Sequence, residues 1–168
     1  IFNLANVRYD GWREFSAYEA RNVYGKIVSK LSETSELTTV LSYYDSPKAQ
    51  DPQGLTREQF EDDPQQARPD SKTTGGARTR NTGEEVVEGK AGLIWNKQID
   101  EDALSLSAYR VFRIFSNRIS PRVVEFERYV LGGAAQFTLN SEIASQANAL
   151  VLGADIQEQT DRRRNFDN

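Results

Sequence analysis

The side chains that could carry chemistry are few, and the absent ones narrow the field first. The 168 residues contain no His and no Cys. Ser-His-Asp and Cys-His catalysis, His-based zinc sites, thiolate nucleophiles, iron–sulfur ligation and disulfides are therefore excluded. Carboxylates remain. Glu61-Asp62-Asp63 is a contiguous acidic group, but a calcium loop needs spaced oxygen ligands, so this run reads as a solvated helix end. No feature sets two carboxylates into one pocket for acid–base work. Arg162-Arg163-Arg164 lies between Asp161 and Asp167 and reads as a solvated loop rather than a phosphate-binding patch. With 21 basic and 25 acidic residues and a net charge of -4, there is no global signal for nucleic acid. The expectation is a protein that is not an enzyme and holds no metal or cofactor.

The elements that would position any remaining site show as period-2 alternation of apolar and polar residues, the mark of two-faced strands. In Arg128–Leu139, Tyr129, Leu131, Gly133, Ala135, Phe137 and Leu139 share one face. Leu150, Leu152, Ala154 and Ile156 form a similar face near the end. Further upstream, Val87, Gly89, Ala91, Leu93 and Trp95 alternate with Glu88, Lys90, Gly92 and Asn96. Leu104, Leu106, Ala108 and Phe112 do so in the next segment, with Arg110 interrupting the apolar face. Adding Phe2–Tyr9, the segment around Val23, Ile27 and Leu31, and the one around Leu37, Thr39, Leu41 and Tyr43 gives about seven long strands.

Connections alternate in length. Short polar turns are expected at Ser32–Glu36, Gln98–Asp102 and Asn140–Asn148. Longer ones are expected from Asp10 to Glu19, from Asp45 to Glu85 and from Asn117 to Arg122. That rhythm describes an up-and-down antiparallel meander with short turns at one end and loops at the other. The 45–85 connection far exceeds the usual hairpin loop. Pro47, Pro52, Pro64 and Pro69 with Gly75-Gly76 bar a continuous strand there. Thr56-Arg57-Glu58-Gln59 matches a capping box and predicts a short helix from Arg57 to Asp62. Ser71–Gly83 reads as mobile.

No apolar stretch approaches the ~20 residues of a membrane-spanning helix, and mean hydropathy is -0.67. Neither observation excludes a barrel, whose strands of about 10 residues turn only alternate side chains to lipid. Segments of ten residues or more exceed the mean strand of about 5–6 in soluble sheets. Tyr43, Tyr44, Phe112, Phe115 and Tyr129 fall near the long-loop end of the strands, and Trp95 and Phe137 near the other, where aromatic girdles would lie. The alternative is a soluble or extracellular β-sheet binding module using the long loop for protein or glycan recognition. A single sheet favours the first reading, and two packed sheets burying Leu93, Leu131, Phe137, Leu150 and Leu152 would favour the second.

Asp10-Gly11-Trp12-Arg13-Glu14-Phe15-Ser16 followed by Tyr24-Gly25-Lys26 resembles the barrel of TonB-dependent outer-membrane receptors. So do Tyr44–Thr56 continuing through Asp63–Pro69, Gly83-Glu84-Glu85 leading to Gly89–Leu93, and Gly153-Ala154-Asp155 leading to Asp161-Arg162-Arg163. Order and spacing over nearly the whole chain carry the likeness, and it is nearest to receptors of the ferric-siderophore or ferric-citrate type. It implies an all-β piece of a transmembrane barrel of about 22 strands, with residues 1–168 as partial wall and 45–85 as a long extracellular loop. It further implies the bacterial outer membrane, its lipid as surroundings, a ferric siderophore or other iron chelate as cargo, and the TonB complex as partner. Neither a plug domain nor a TonB-contacting box is recognisable in these residues. With Ile1 first and no Met, a translation start and signal peptide are expected upstream. For an anionic chelate, the resemblance points to arginines at the extracellular rim, since guanidinium meets carboxylates in bidentate pairs. Arg13, Arg113, Arg118 and Arg122 would lie at or beyond strand ends, with Arg68, Arg78 and Arg80 in the long loop.

Overall fold

A computed structural model describes residues 1–119 and 121–168. The chain forms one open antiparallel sheet of seven strands in sequence order. These are β1 (Phe2–Tyr9), β2 (Tyr18–Ser32), β3 (Ser35–Gln50), β4 (Gly83–Ile99), β5 (Asp102–Ile119), β6 (Arg122–Ile143) and β7 (Gln146–Asp167). All seven alternating segments are strands, and the meander expected from the connections is the topology found. The capping-box helix is α1 (Arg57–Asp62), where Thr56 Oγ1 accepts from the Gln59 amide and Gln59 Oε1 accepts from the Thr56 amide. Among the described residues, no helix is long and apolar enough to cross a membrane.

Paired residues in an antiparallel ladder share a face, so the register sorts every side chain. One row of partners reads Val23, Tyr43, Gly89, Phe112, Tyr129, Thr160 from β2 to β7. That face carries Phe2, Leu4, Ile27, Leu37, Leu41, Leu93, Trp95, Leu104, Leu106, Leu131, Phe137, Leu150, Leu152 and Ile156. The opposite face carries Tyr24, Lys26, Lys30, Ser42, Glu88, Lys90, Ser105, Ser107, Tyr109, Gln136, Asp155 and Gln157. The large apolar groups are not covered: Leu4 is 69% exposed, Leu131 60% and Ile156 79%. Among the described residues, the buried hydrophobic side chains are Ala20, Ala67 and Ala77, none of them large. No second sheet packs on the apolar face, so the two-sheet alternative fails.

The apolar stretch shifts systematically along the strands. On β3 it runs from Tyr43 to Leu37, whereas on β7 it runs from Ile156 to Leu150. The row through Tyr43 meets β7 at Thr160, and the row through Leu37 meets it at Ala154. Both edges therefore move four residues toward the turn end over four strand steps, one residue per strand. With a rise of about 3.4 Å and a spacing of about 4.8 Å, a flat apolar layer crosses these strands at about 35°. Strands in barrel walls tilt by about 35–45°.

Two aromatic side chains fill gaps left by glycines on the facing strand. Tyr109 lies over Gly132 and donates to Gln157 Oε1 at 2.7 Å, joining β5 to β7 across β6. Phe112 lies over Gly89 on the other face. A Cβ at Gly132 would sit 2.4 Å from the Tyr109 ring. Gly132→Val must therefore expel the ring and break the bond to Gln157, and overpacking of this kind costs about 1–3 kcal/mol. Urea unfolding of the detergent-solubilised full-length protein, monitored by tyrosine fluorescence, should show that loss. An unchanged midpoint would mean that Tyr109 does not brace the sheet.

Candidate functional site: an arginine–aromatic cluster beneath a knitted loop layer

At the short-turn end, two-residue turns at 33–34, 100–101 and 144–145 join the strands. At the other end lie the 10–17 loop, the 51–82 loop and a two-residue connection at 120–121. The strands reach further than alternation suggested, so the long loop is 51–82 rather than 45–85. The expected long connection from Asn117 to Arg122 is a tight one, since Ile119 pairs with Arg122; Ser120 itself lies outside the described residues.

The 10–17 and 51–82 loops form one layer. Arg13 donates from Nη1 to the Gln53 carbonyl and from Nη2 to the Gln66 carbonyl, both at 2.8 Å. Glu14 accepts from the Ala67 amide at 3.3 Å and pairs with Arg78 at 3.3 Å. Gly11 has a φ of +85°, and a Cβ there would strike Ser16, so this turn requires glycine. The loop's neck closes where Thr82 donates to the Asp51 carbonyl at 2.6 Å while the Asp51 amide donates to the Thr82 carbonyl at 3.0 Å. Ser71–Gly83, expected to be mobile, is folded: Asp70 accepts from the Gly76 amide at 2.5 Å and from Thr79 at 3.0 Å, and Ala77 is fully buried. Composition suggested mobility because it cannot show that two carboxylates and a threonine neck satisfy the loop's amides.

Glu14 and Asp70 both titrate below the usual carboxylate range. The Ala67 amide and then Arg78 hold Glu14 charged, and the Gly76 amide and then Thr79 do so for Asp70.

On the polar face below this layer, β5 to β7 bring arginines and aromatics together. Arg113 pairs with Arg128 in register, flanked by Glu88 on β4 and Asp161 on β7. The next row toward the loops holds Val86, Phe115, Phe126 and Arg163. The Phe115 and Phe126 rings stack at 4.9 Å, with the Arg113 guanidinium 5.4 Å from one and 5.9 Å from the other. Arg128 sits 5.3 Å from Phe126 and makes a bidentate pair with Asp161 at 2.8 and 2.6 Å. Lys90 pairs with Glu88 at 2.7 Å. Arg113 has no ion pair among the described residues, and its Nε is buried without a hydrogen-bond partner. A guanidinium with spare donors, held against two rings, has the chemistry to pair with a carboxylate or similar anion.

The seven sequence-nominated arginines do not form one group. Arg113 is in the cluster, and Arg122 lies on the same face at the start of β6. Arg118 faces the other way, donating to the Asn81 carbonyl at 2.9 Å and pairing with Glu85 at 2.5 Å. Arg13 and Arg78 are braces of the loop layer; Arg68 approaches Gln53 Oε1 at 3.3 Å, and Arg80 packs on Gly75. Arg128 and Arg163 were missed. Arg162–Arg164, read as a solvated loop, lies on β7, where pairing with β6 puts Arg163 opposite Phe126. Reading the alternation of β7 onward past Gln157 would have found it.

A solved structure titled as the unliganded ferric citrate transporter FecA superposes with a TM-score of 0.81 and 19% identity. The match covers 98% of this chain and 24% of the transporter, so the chain spans about a quarter of that protein's length. At this identity the likeness establishes the fold, an open piece of a β-barrel wall. No family model and no curated protein matches the chain.

The loop layer's order should depend on pH in a defined direction. Folding lowers the pKa of Glu14 and Asp70, so their contribution is fully present above the unfolded carboxylate range and is lost as pH falls through the folded values. Limited proteolysis of the full-length protein within 51–82 should accelerate on acidification. Arg13→Ala should accelerate it by about tenfold at neutral pH through loss of charge-assisted bonds. Cleavage unaffected by either change would rule out this bracing.

Proposed function

We propose that the chain is a stretch of the wall of an outer-membrane TonB-dependent receptor that imports ferric-siderophore-type iron chelates. One observation carries the reading: a single sheet exposes most of its large apolar side chains on one face, in a band slanted by one residue per strand between β3 and β7. In water that surface far exceeds the apolar patch a soluble monomer normally shows. Against lipid it is the surface required, and the slant keeps it level with the bilayer. The ferric citrate transporter supports the same assignment through its fold, and the residues resembling receptor barrels support it through sequence.

In this reading the polar face looks into the lumen, and the 10–17 and 51–82 loops are extracellular. Arg113, held against Phe115 and Phe126, receives an anionic chelate as it descends from the loops, with Arg122 and Arg163 adding positive potential. The plug and TonB-contacting segments belong to the complete receptor, and the iron chelate is its cargo rather than a resident group.

The absence of cysteine from this stretch makes the orientation directly measurable. Single cysteines at Leu93, Leu131 and Leu152 of the full-length protein in liposomes, carrying nitroxides, should collide with dissolved oxygen. Labels at Lys90, Ser107 and Gln136 should collide with a water-soluble relaxant instead. Equal behaviour of the two sets would sink the wall assignment.

The chelate site has its own test. Arg113→Ala should weaken binding of a ferric citrate or ferric hydroxamate probe by about tenfold. Arg113→Lys should not restore it, because an ammonium lacks the planar fork. Affinity unchanged by Arg113→Ala would exclude this residue from cargo binding.

A further inference from the structure

Arg110 is the charge that interrupts the apolar face, and its position within the band is informative. It pairs with Ala91 on β4 and Leu131 on β6. Glu158, the acid in its row, lies beyond Leu131 on β7. Arg110 is exposed and makes no hydrogen bond or ion pair among the described residues. Interpolated between β3 and β7, the one-residue shift per strand puts the loop-side edge of the band on β5 near this residue, with Phe112 and the exposed Ile114 continuing the apolar face toward the loops. Phe112 and Tyr129 lie one row beyond it toward the loops. A cation is costly at a bilayer's centre, and that cost nearly vanishes near the interface. Arg110 thus lies at the depth where phosphates meet acyl chains.

Beside it, on the band side, is a groove of about 940 Å³. Gly25 on β2 and Ala91 on β4 form low ground on either side of Leu41, with Val23 and Phe112 as walls, and Arg110 stands at the rim. The Phe112 ring folds over Gly89 and bounds the groove on the β5 side.

We infer that this groove and Arg110 form a seat for one anionic, phosphate-bearing lipid of the loop-side leaflet. The phosphate takes the guanidinium fork, and an acyl chain lies in the groove. Charge complementarity chooses the occupant: the unpaired group is a cation, the adjoining surface is apolar, and both sit at the headgroup boundary. An apolar peptide would leave the guanidinium unpaired, and a soluble anion would leave the groove empty. The inference rests on the membrane-wall reading.

Native mass spectrometry of the full-length receptor, released from nanodiscs of phosphatidylglycerol or phosphatidylcholine, tests it. Wild type should retain one phosphatidylglycerol in preference to phosphatidylcholine. Arg110→Leu should reduce that retention by about tenfold, and Arg110→Lys should recover it only in part. Ala91→Phe fills the groove and should lower retention with the charge intact. Leu150→Ala, at the other edge of the band, should leave it unchanged. Equal retention by wild type and Arg110→Leu overturns the site, as does equal retention of the two lipids. Nitroxides at Leu93 and Leu131 in the same nanodiscs separate the two failures. If they report lipid while no phosphatidylglycerol is held, the wall stands and the lipid seat falls; if they report water, the wall reading falls first.

Discussion

Everything else in this structure follows from a sheet that cannot bury its own apolar face. Seven strands lie in one layer, and the hydrophobic side chains buried among the described residues are three alanines. A soluble fold gains most of its stability by removing large apolar groups from water. Here Leu, Ile and Phe side chains remain outside, so that gain must come from surroundings the chain does not supply. The unpaired outer edges of β1 and β7 make the same demand for backbone hydrogen bonds, which a closed barrel would satisfy. Apolar covering and edge closure are both expected of a wall segment.

The sheet's internal order then depends on register, since its two faces differ so sharply in chemistry. A slip of one residue on any strand would exchange them. Several features resist it. Tyr109 over Gly132 and Phe112 over Gly89 lock β5 to its neighbours from opposite faces. Trp95 donates its indole N–H to Ser35 at 2.7 Å near the turn end, and Arg118 ties β5 to the loop layer through Asn81 and to β4 through Glu85. Between Ser46 and Ala49 the β3–β4 register shifts; Ser46 is buried there and donates to the Glu19 carbonyl at 3.0 Å. The ladder resumes at Ala49 and Gln50, just before β3 gives way to the loop layer.

Alternation made the strands legible, because a half-covered sheet forces a period of two over its whole length. The capping box located α1 for the same local reason. Strand ends were another matter. Pro47 looked like a terminator, yet it falls within the register shift, where β3 needs no ladder donor toward β4. Charged residues such as Glu84, Arg118 and Arg163 looked like loop, although paired strands continue through them on the polar, loop-side part of the sheet. The arginine cluster was half visible for that reason. Arg113 could be nominated by type and position, but its partnership with Phe115, Phe126 and Arg128 is a cross-strand property that no single segment displays. Arg13 and Arg78 show the converse, as residues suited to binding a ligand that the fold uses to hold two loops together.

Arg110 and Arg113 show how one strand can place identical side chains in opposite roles. Three residues apart on β5, they project to opposite faces. Arg113 meets two rings and a paired Arg128 on the polar side, at the level where the loops begin. Arg110 meets Ala91 and Leu131 on the apolar side, at the edge of the slanted band. The separation of three is what allows this, since an even spacing would put both on one face. Strand tilt supplies the rest. Because the apolar layer crosses the sheet obliquely, Arg110's row lies inside the band at β3 and near its boundary on β5, so depth within the band is set jointly by position along a strand and by which strand it is. A guanidinium at the same row on β3, in place of Leu41, would sit deeper among apolar side chains.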